Sequence, residues 1–344
     1  MSSTQLTTFA DLYTDLLQRV RVSTSTAGSV EQAKRYINIA LHDIHLGFEY
    51  KLPWCERRWQ LTTHAPYSDG TVTATVGSTA VVGFGTLWNT NNAHSVKNAR
   101  STGKMIIEDS QVVYGITNVQ SDTTIALRAS FVAENSVSAG TYTYFEDEYD
   151  LTSTFLRPID STMFSPDMQI ALIPRHEFRR RYPVVRISGR PRVACIVDGP
   201  TTPTDFTPVR RVVFYPYPDK TYVIPYTYIS SALAIPSGGA STLTSMSSDT
   251  DTPIMPLRYR HAILYHALAK WYRDKKDDAR AEQANADYTD IMMRVVSDDD
   301  MATKNTAYLQ PQMGQYTGAA KAPYRRSRGG KIYDVNGEFD AFRR

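Results

Sequence analysis

The sequence predicts an α+β protein in which an α-helical bundle, built from both ends of the chain, carries inserted β-rich segments. Apolar residues recur at three- and four-residue steps near both ends, which is typical of amphipathic helices. Alternating apolar and polar residues with Gly and Pro turns fill the middle, which indicates short strands. A chain of 344 residues with 42% hydrophobic and 21% charged residues can bury a substantial core and hold several structural parts.

Composition and motifs divide the chain into five parts. They are the N-terminal helices of the bundle (1–67), an inserted small β-barrel or sandwich module (68–150), a second β-region with short helices (151–250), the C-terminal helices of the bundle (251–300) and an extended tail (301–344). We expect residues 68–147 to close on themselves, so that they could be removed without unfolding the bundle.

The helices of the bundle follow from their apolar stripes. The first is predicted near 9–20 and the second over 29–48, where Ser29 and Gln32 have the spacing of a capping box. Two further stripes predict helices at 255–275 and 279–297, joined by a charged link. Since each amphipathic helix must bury its apolar face, we expect all four helices to pack together.

The β-rich parts follow from alternation and turn residues. Gly77-Ser78 separates two alternating runs within 71–88, which predicts a hairpin. The remaining predicted strands are 104–109, 111–119, 123–128 and 141–151 in the module, and 191–197, 209–218 and 222–230 in the second region. A short surface helix is predicted at 176–182.

The search for chemistry yields no catalytic constellation and predicts a protein that is not an enzyme and carries no cofactor. Nucleophile-elbow, zinc-protease and phosphate-loop motifs are absent from the sequence. Gly83-Phe84-Gly85 is interpreted as a strand end and not as a dinucleotide fingerprint, because no helix is predicted after it. Cys55 and Cys195 are too few for a disulfide framework or a cysteine zinc site.

Three clusters could hold a metal ion, but each has a simpler interpretation. His42 and His45 have a ligand spacing without a third ligand, which favours solvated or capping histidines. The acidic run 146–150 is interpreted as a polar strand edge, because alternation sends neighbouring carboxylates to opposite faces. The aspartates 298–300 are placed at a helix C-terminus, where they suggest fraying, a solvated turn or a basic partner.

The tail is the most charged and aromatic part of the chain. Residues 321–344 contain seven Lys or Arg and three acids, a net charge of +4, whereas the whole chain carries +3. The tail is too poor in aliphatic residues to form a core of its own, so we expect order only against a partner. The predicted partner-binding residues are Tyr324, Arg325, Arg326, Arg328, Tyr333, Phe339 and Phe342, which would contact the portal or a neighbouring subunit.

Residues 36–63, YINIALHDIHLGFEYKLPWCERRWQLTT, resemble the opening of tailed-bacteriophage head-to-tail adaptor (connector) proteins, in particular the adaptor family of SU10-like podoviruses. The matching positions are Asn38, Ala40, Leu41 and Ile44 on the helix, followed by Trp54 and Trp59. The phrase EDEYDLTSTFLRPI at 146–159 is similar to one that follows in the family, with Thr152 in place of the usual Pro. The stretches 71–88 and 119–127 resemble a β-motif that is widespread in virion proteins.

The resemblance implies a structural subunit of the virion neck, assembled in the host cytoplasm. Family members form a homo-oligomeric ring, commonly of about twelve subunits, below the portal protein. The expected partners are the portal, tail proteins such as nozzle or fibres, and the genomic DNA that passes through the channel; no membrane partner is expected. The alternatives are another virion structural protein of the tail or baseplate, or a nucleic-acid-binding protein, since the tail could also neutralise phosphates.

Overall fold

A computed structural model of the chain describes residues 5–24, 26–47, 52–108, 111–159, 163–164, 167, 169–199, 209–239, 241–316, 325–326 and 332–333. For residues 46–47, 299–316, 325–326 and 332–333 the description covers the backbone alone. The chain splits into two compact units. Unit 1 consists of Met1–Trp54 and Ala232–Arg344, and unit 2 of Cys55–Ser231. The α+β class predicted from the sequence is confirmed.

Unit 1 is built on helices from both ends of the chain. They are α1 (Phe9–Arg19), α2 (Ala27–Gly47), α4 (His261–Asp274) and α5 (Asp278–Tyr316), with a 3-10 turn at Leu257–Tyr259 before α4. Thr8 opens α1 with the capping box, because its hydroxyl accepts from the Asp11 N–H and the Asp11 carboxylate accepts from the Thr8 N–H. The charged link between α4 and α5 is a tight turn at 275–277.

The four helices pack together although more than two hundred residues separate the pairs. Helix α4 lies at the centre, in contact with α1, α2 and α5, and α1 also contacts α2. Seven side chains of α4 are buried around most of its circumference, as expected for a central helix: Ala262, Ile263, Leu264, Ala267, Leu268, Ala269 and Trp271. The predicted bundle is therefore confirmed.

Polar side chains tie the chain ends to one another inside unit 1. The buried Arg260 guanidinium donates to the backbone carbonyls of Leu6, Thr7, Pro253 and Met255, at distances between 2.6 and 3.1 Å. These carbonyls belong to segments that make no regular ladder with each other, so Arg260 satisfies acceptors that burial would otherwise leave unpaired.

Unit 2 begins with a curled seven-stranded sheet of order β7-β2-β3-β6-β5-β4-β8. Its strands are β2 (Thr71–Ala74), β3 (Ala80–Phe84), β4 (Lys104–Ile107), β5 (Tyr114–Ser121), β6 (Thr124–Leu127), β7 (Val137–Gly140) and β8 (Tyr142–Phe145). The hairpin predicted at Gly77 joins β2 to β3, and Gly77 has the positive φ of 80° that this turn requires. The two edge strands of this sheet, β7 and β8, are consecutive in the chain. The sheet is therefore curled, since one residue connects its two edges.

The remaining strands of unit 2 form smaller sheets around a second core. These strands are β1 (Glu56–Thr62), β9 (Glu148–Asp150), β10 (Phe155–Pro158), β11 (Ala171–Leu172), β12 (Ser188–Gly189), β13 (Val193–Asp198), β14 (Arg210–Tyr215), β15 (Tyr217–Pro218) and β16 (Val223–Ser230). Their sheets have the orders β1-β16-β10, β11-β13-β14-β9 and β12-β15. The surface helix predicted at 176–182 is α3 (Arg175–Arg181). A short ladder of β17 (Ala234–Ile235) and β18 (Thr252–Pro253) belongs to unit 1.

Two features of the fold correct the predicted boundaries of the parts. The predicted module and the second β-region lie in one compact unit, because Ile106 and Phe145 pack with residues of the second region. Phe145 stacks on Tyr217 with ring centroids 4.1 Å apart. The prediction of an extended tail from 301 is wrong for residues 301–316, which continue α5 as a helix. The absence of an apolar stripe concealed this extension, since Met, Ala, Lys, Leu and Gln favour helix without one.

The two-unit division predicts which excision the bundle tolerates. Replacing residues 55–231 by a Gly/Ser linker of about 12 residues, which spans roughly 20 Å, is expected to leave unit 1 helical and cooperatively folded, since its core lies outside the excised segment. The measurements are far-UV circular dichroism and thermal unfolding.

The comparison is excision of 68–147 alone, which removes Ile106 and Phe145 from the shared core. We expect that shorter excision to abolish the cooperative unfolding of the rest of unit 2, and a retained transition there would contradict the shared core.

Candidate functional site

The tail residues predicted to bind a partner lie mostly outside the described residues. Tyr324, Arg328, Phe339 and Phe342 are not described. The backbone places β19 (Arg325–Arg326) antiparallel to β20 (Ile332–Tyr333), with Arg325 opposite Tyr333 and Arg326 opposite Ile332. The partner-binding role of these residues stays a prediction.

A groove lies between α4 and α5 in unit 1. Its volume is about 510 Å³. It is lined by Arg258, Tyr259, His261, Tyr265, Asp287, Asp290, Ile291, Arg294, Ser297 and Asp298. A second recess of about 240 Å³ continues along the same helices and shares Tyr265 and Asp287 with the first. The two recesses form one elongated groove, which we call the α4–α5 groove.

The α4–α5 groove contains residue types that are enriched at protein–protein interfaces. Guanidinium groups lie over tyrosine rings, with Arg19 5.3 Å from the Tyr265 centroid and Arg280 5.8 Å from the Tyr272 centroid. Tyrosine and arginine are the residue types that contribute most to protein–protein affinity. The ion pairs at its rim, such as Arg294 with Asp290 at 2.6 Å, are exposed and contribute little to stability.

The α4–α5 groove includes Asp298, which the sequence predicts to lie at a helix C-terminus. The aspartates 298–300 were expected at a helix C-terminus, but α5 continues beyond them to Tyr316. Asp298 instead accepts a hydrogen bond from the Tyr259 hydroxyl and lies 3.7 Å from the Arg258 guanidinium. Both partners precede α4, so Asp298 fastens α5 to the start of α4.

The Gly83-Phe84-Gly85 stretch presents an exposed apolar side chain. Phe84 is 83% exposed at the end of β3, and Val82 on the same face is 53% exposed. Gly83 faces inward, where an added Cβ would lie 2.2 Å from the Thr86 hydroxyl, and Gly85 has a φ of 69°. The interpretation as a strand end holds, and glycine is required on both sides of Phe84.

Glu146 and Asp147 form a buried ion-pair network, so the interpretation of the acidic run as a polar strand edge is wrong for these two residues. It holds for Glu148–Asp150, which form β9 at the edge of its sheet and end in the exposed Asp150. Glu146 and Asp147 lie between β8 and β9, where the chain passes from one sheet to the next, and both are buried. Arg100 donates to both oxygens of Glu146, at 2.7 and 2.5 Å. Lys104 contacts Asp147 at 2.8 Å and Glu148 at 2.9 Å. The cations lie more than forty residues earlier, which the acidic run alone could not indicate.

Burial and pairing set the charges of this network in opposite directions. Burial opposes ionisation of Glu146, but Arg100, Tyr144 and Thr102 outweigh it and hold its pKa below the ordinary value of a glutamate. Complete burial raises the pKa of Asp147, and one of its oxygens has no hydrogen-bond partner among the described residues. Burial also opposes the charge of Lys104, yet Asp147 and Glu148 raise its pKa. The network holds in place the segment between β8 and β9, where the chain passes from one sheet to the next, and this is a structural role.

No protein-family model and no curated protein sequence matches this chain.

The residues that carry the phage-adaptor resemblance have mostly structural positions. Ala40, Leu41 and Ile44 are fully buried in the bundle. The Asn38 amide exchanges two hydrogen bonds of 2.9 Å with the backbone of Met246 and so fixes the loop that covers α2. Trp59, in contrast, is 60% exposed on β1. These roles explain why the pattern consists of apolar residues and one amide.

The histidines of α2 do not converge on a metal ion. His42 is exposed, whereas His45 is buried and its Nδ1 lies 2.8 Å from the Leu41 carbonyl, so this nitrogen carries the proton. Burial lowers the pKa of His45. Within the described ranges no group of three or more His, Cys, Asp or Glu could hold a metal. Among those same residues, none of the helices combines the length and apolarity needed to cross a bilayer.

Proposed function

We propose that the chain is the subunit of a head-to-tail adaptor ring that joins the portal vertex of a tailed-phage capsid to the tail. The resemblance over 36–63, 71–88, 119–127 and 146–159 supports this proposal. In the assembly the ring surrounds the channel through which the genome leaves. The partners are further copies of this chain, the portal protein and tail proteins.

The observation that carries the proposal is the length of α5. This helix has 39 residues, about 58 Å, whereas α4 has 14 residues, about 21 Å. Among residues 278–298 of α5, whose side chains are described, the buried ones form one narrow stripe: Ala281, Ala284, Met292 and Val295. Residues 299–316 add about 27 Å of helix beyond the contact of Asp298 with the start of α4. Helices depend on tertiary packing for most of their stability, and a neighbouring subunit in a ring supplies it.

A ring also needs two different surfaces on each subunit. Its interfaces are heterologous, because each subunit contacts the next one head to tail through two different patches. The α4–α5 groove provides a concave surface with aromatic and arginine side chains in its walls. Its charged residues on α5 are of both signs, so the groove can select the register of its partner as well as bind it: Arg280, Asp287, Asp290, Arg294 and Asp298. We assign this groove to the contact with the neighbouring subunit.

Asp287→Arg is expected to prevent ring formation while leaving the subunit folded. Asp287 is exposed and lines both recesses of the groove, so reversal of its charge places a cation between Arg280 and Arg294. Negative-stain microscopy of the purified chain mixed with its portal protein measures the outcome. The wild-type chain should form rings on the portal, and the variant should remain monomeric with an unchanged melting temperature.

Glu282→Arg is the matched control, because Glu282 is an exposed acid on the same helix and does not line the groove. Rings formed by both variants would exclude the groove as the subunit contact. A wild-type chain that never forms rings on the portal, but is located in tail or baseplate particles, would support the alternative of another virion structural protein.

A further inference from the structure

Unit 2 displays a concentration of arginine that no feature described above uses. Residues 175–192, which we call the arginine segment, contain Arg175, Arg179, Arg180, Arg181, Arg186, Arg190 and Arg192. Glu177 is the only carboxylate in the segment, and no lysine occurs between Lys104 and Lys220. The sequence predicts a short surface helix within this segment, and the charge pattern can also be seen in the sequence alone.

Two buried apolar side chains anchor the arginine segment. Phe178 of α3 and Val185 are 4% and 7% exposed and belong to the core that Cys195 and Val213 complete. Helix α3 also contacts β13. The guanidinium groups are therefore carried by a part of the fold that is packed on the core.

Four of the seven guanidinium groups are not neutralised by the part of the chain that the structure describes. Arg175, Arg179, Arg180 and Arg192 are exposed and make no ion pair with any described residue. Arg181 pairs with Glu177 at 2.6 Å, which accounts for the single acid. Arg190 donates to the Asp167 backbone carbonyl at 2.7 Å.

The arrangement is unfavourable for the isolated subunit. Arg175 and Arg179 are four residues apart on α3, a spacing at which like charges repel. Asp147 and Glu148, which line one recess together with Arg175 and Arg179, are already paired with Lys104. The repulsion would be relieved by an external polyanion that brings several negative charges at once.

We propose that the arginine segment binds the sugar–phosphate backbone of nucleic acid. Arginine presents a planar fork of donors that matches phosphate oxygens, whereas a lysine is a compact point charge. The fork fits carboxylates as well, so what favours nucleic acid over an acidic protein is the uniform sign of the segment, whose single carboxylate is already paired with Arg181. The contacts would be independent of base sequence, because the backbone carries no sequence information. This binding does not depend on the ring.

The test is the salt dependence of binding between the full chain and a fluorescent duplex of random sequence, between about 50 and 200 mM salt. The variant carries Arg175→Gln, Arg179→Gln and Arg180→Gln, all at exposed positions. Loss of three phosphate contacts is expected to reduce the slope of log K against log salt by about 2.7, and the affinity at about 100 mM salt roughly 100-fold. Circular dichroism and thermal unfolding establish that the variant is folded.

Two matched triple variants locate the effect. Arg21→Gln, Arg35→Gln and Arg273→Gln remove the same charge from exposed positions of unit 1 and should leave the slope within about one contact of wild type. Arg325→Gln, Arg326→Gln and Arg328→Gln do the same in the tail. A slope that falls only in the tail variant, or falls equally in all three variants, would overturn the proposal.

The nature of the polyanion and the independence from the ring are tested with the same reagents. Poly-glutamate of equal charge is the competitor, and displacement of the duplex at equal charge concentration would show an acidic-protein site and refute phosphate recognition. The ring-defective Asp287→Arg variant should bind the duplex with the wild-type slope. Loss of binding in that variant would contradict a site carried by the single subunit, whereas loss of rings alone concerns the proposed function.

Discussion

Arg100→Met is expected to lower the free energy of unfolding of unit 2 by about 3 kcal/mol. Arg100 makes two short hydrogen bonds to the Glu146 carboxylate, which is 4% exposed. Removing the cation leaves a buried carboxylate without its counter-ion, which costs about 3–5 kcal/mol in folded proteins. We expect the lower end of this energy range because the Arg100 side chain is 22% exposed, and because Tyr144 and Thr102 still donate hydrogen bonds to Glu146.

Urea unfolding of the variant and of the double variant with Glu146→Gln measures this effect. The double variant should recover part of the loss, because a neutral amide needs no counter-ion.

The sign of the pH dependence of stability is a second readout. The pKa of Glu146 is lowered in the folded protein, so its contribution is present above the unfolded pKa, about 4.3, and is lost as pH falls through the folded pKa. The gap between wild type and Arg100→Met should therefore narrow below about pH 4, and a constant gap would assign the loss to packing.

Much of the fold was accessible from the sequence because local patterns determine it. A periodicity test detects the apolar stripes of α1, α2 and α4, and the Val and Tyr content of the segments that form β13, β14 and β16 favours strands. Gly77 identified the β2–β3 hairpin since its turn needs a positive φ. The joint bundle followed from the requirement that each apolar face find a partner.

What the sequence concealed depends on residues that meet only in the folded chain. The partners of Glu146 and Asp147 lie in the loop before β4 and on β4, so the acidic run alone indicated a solvated edge. The shared core of Ile106, Phe145 and Tyr217 joins strands that separate patterns had assigned to different parts. The α4–α5 groove was missed because it results from the packing of two helices, although Arg280, Asp287, Asp290 and Arg294 were visible as a mixed-charge face.

Removal of the tail is expected to abolish joining to the portal while leaving both units folded. A chain that ends at Tyr316 lacks every tail residue predicted to bind a partner, including the aromatics Tyr324, Tyr333, Phe339 and Phe342. Buried aromatic anchors typically cost 2 kcal/mol or more each when removed, so the loss of several should weaken portal binding by more than about 100-fold. The measurement is sedimentation of the chain with purified portal, followed by microscopy of the complexes.

A second truncation, after Asp300, separates the tail from the extension of α5. This chain retains every α5 side chain that is described as buried, from Ala281 to Val295, so it should also keep the helical bundle and its melting temperature. If the extension of α5 packs on a neighbouring subunit, the chain ending at Tyr316 should still form rings without portal, whereas the chain ending at Asp300 should remain monomeric. Unchanged portal affinity of both chains would show that the tail is a passive appendage, and rings formed by the shorter chain would remove the argument from the length of α5.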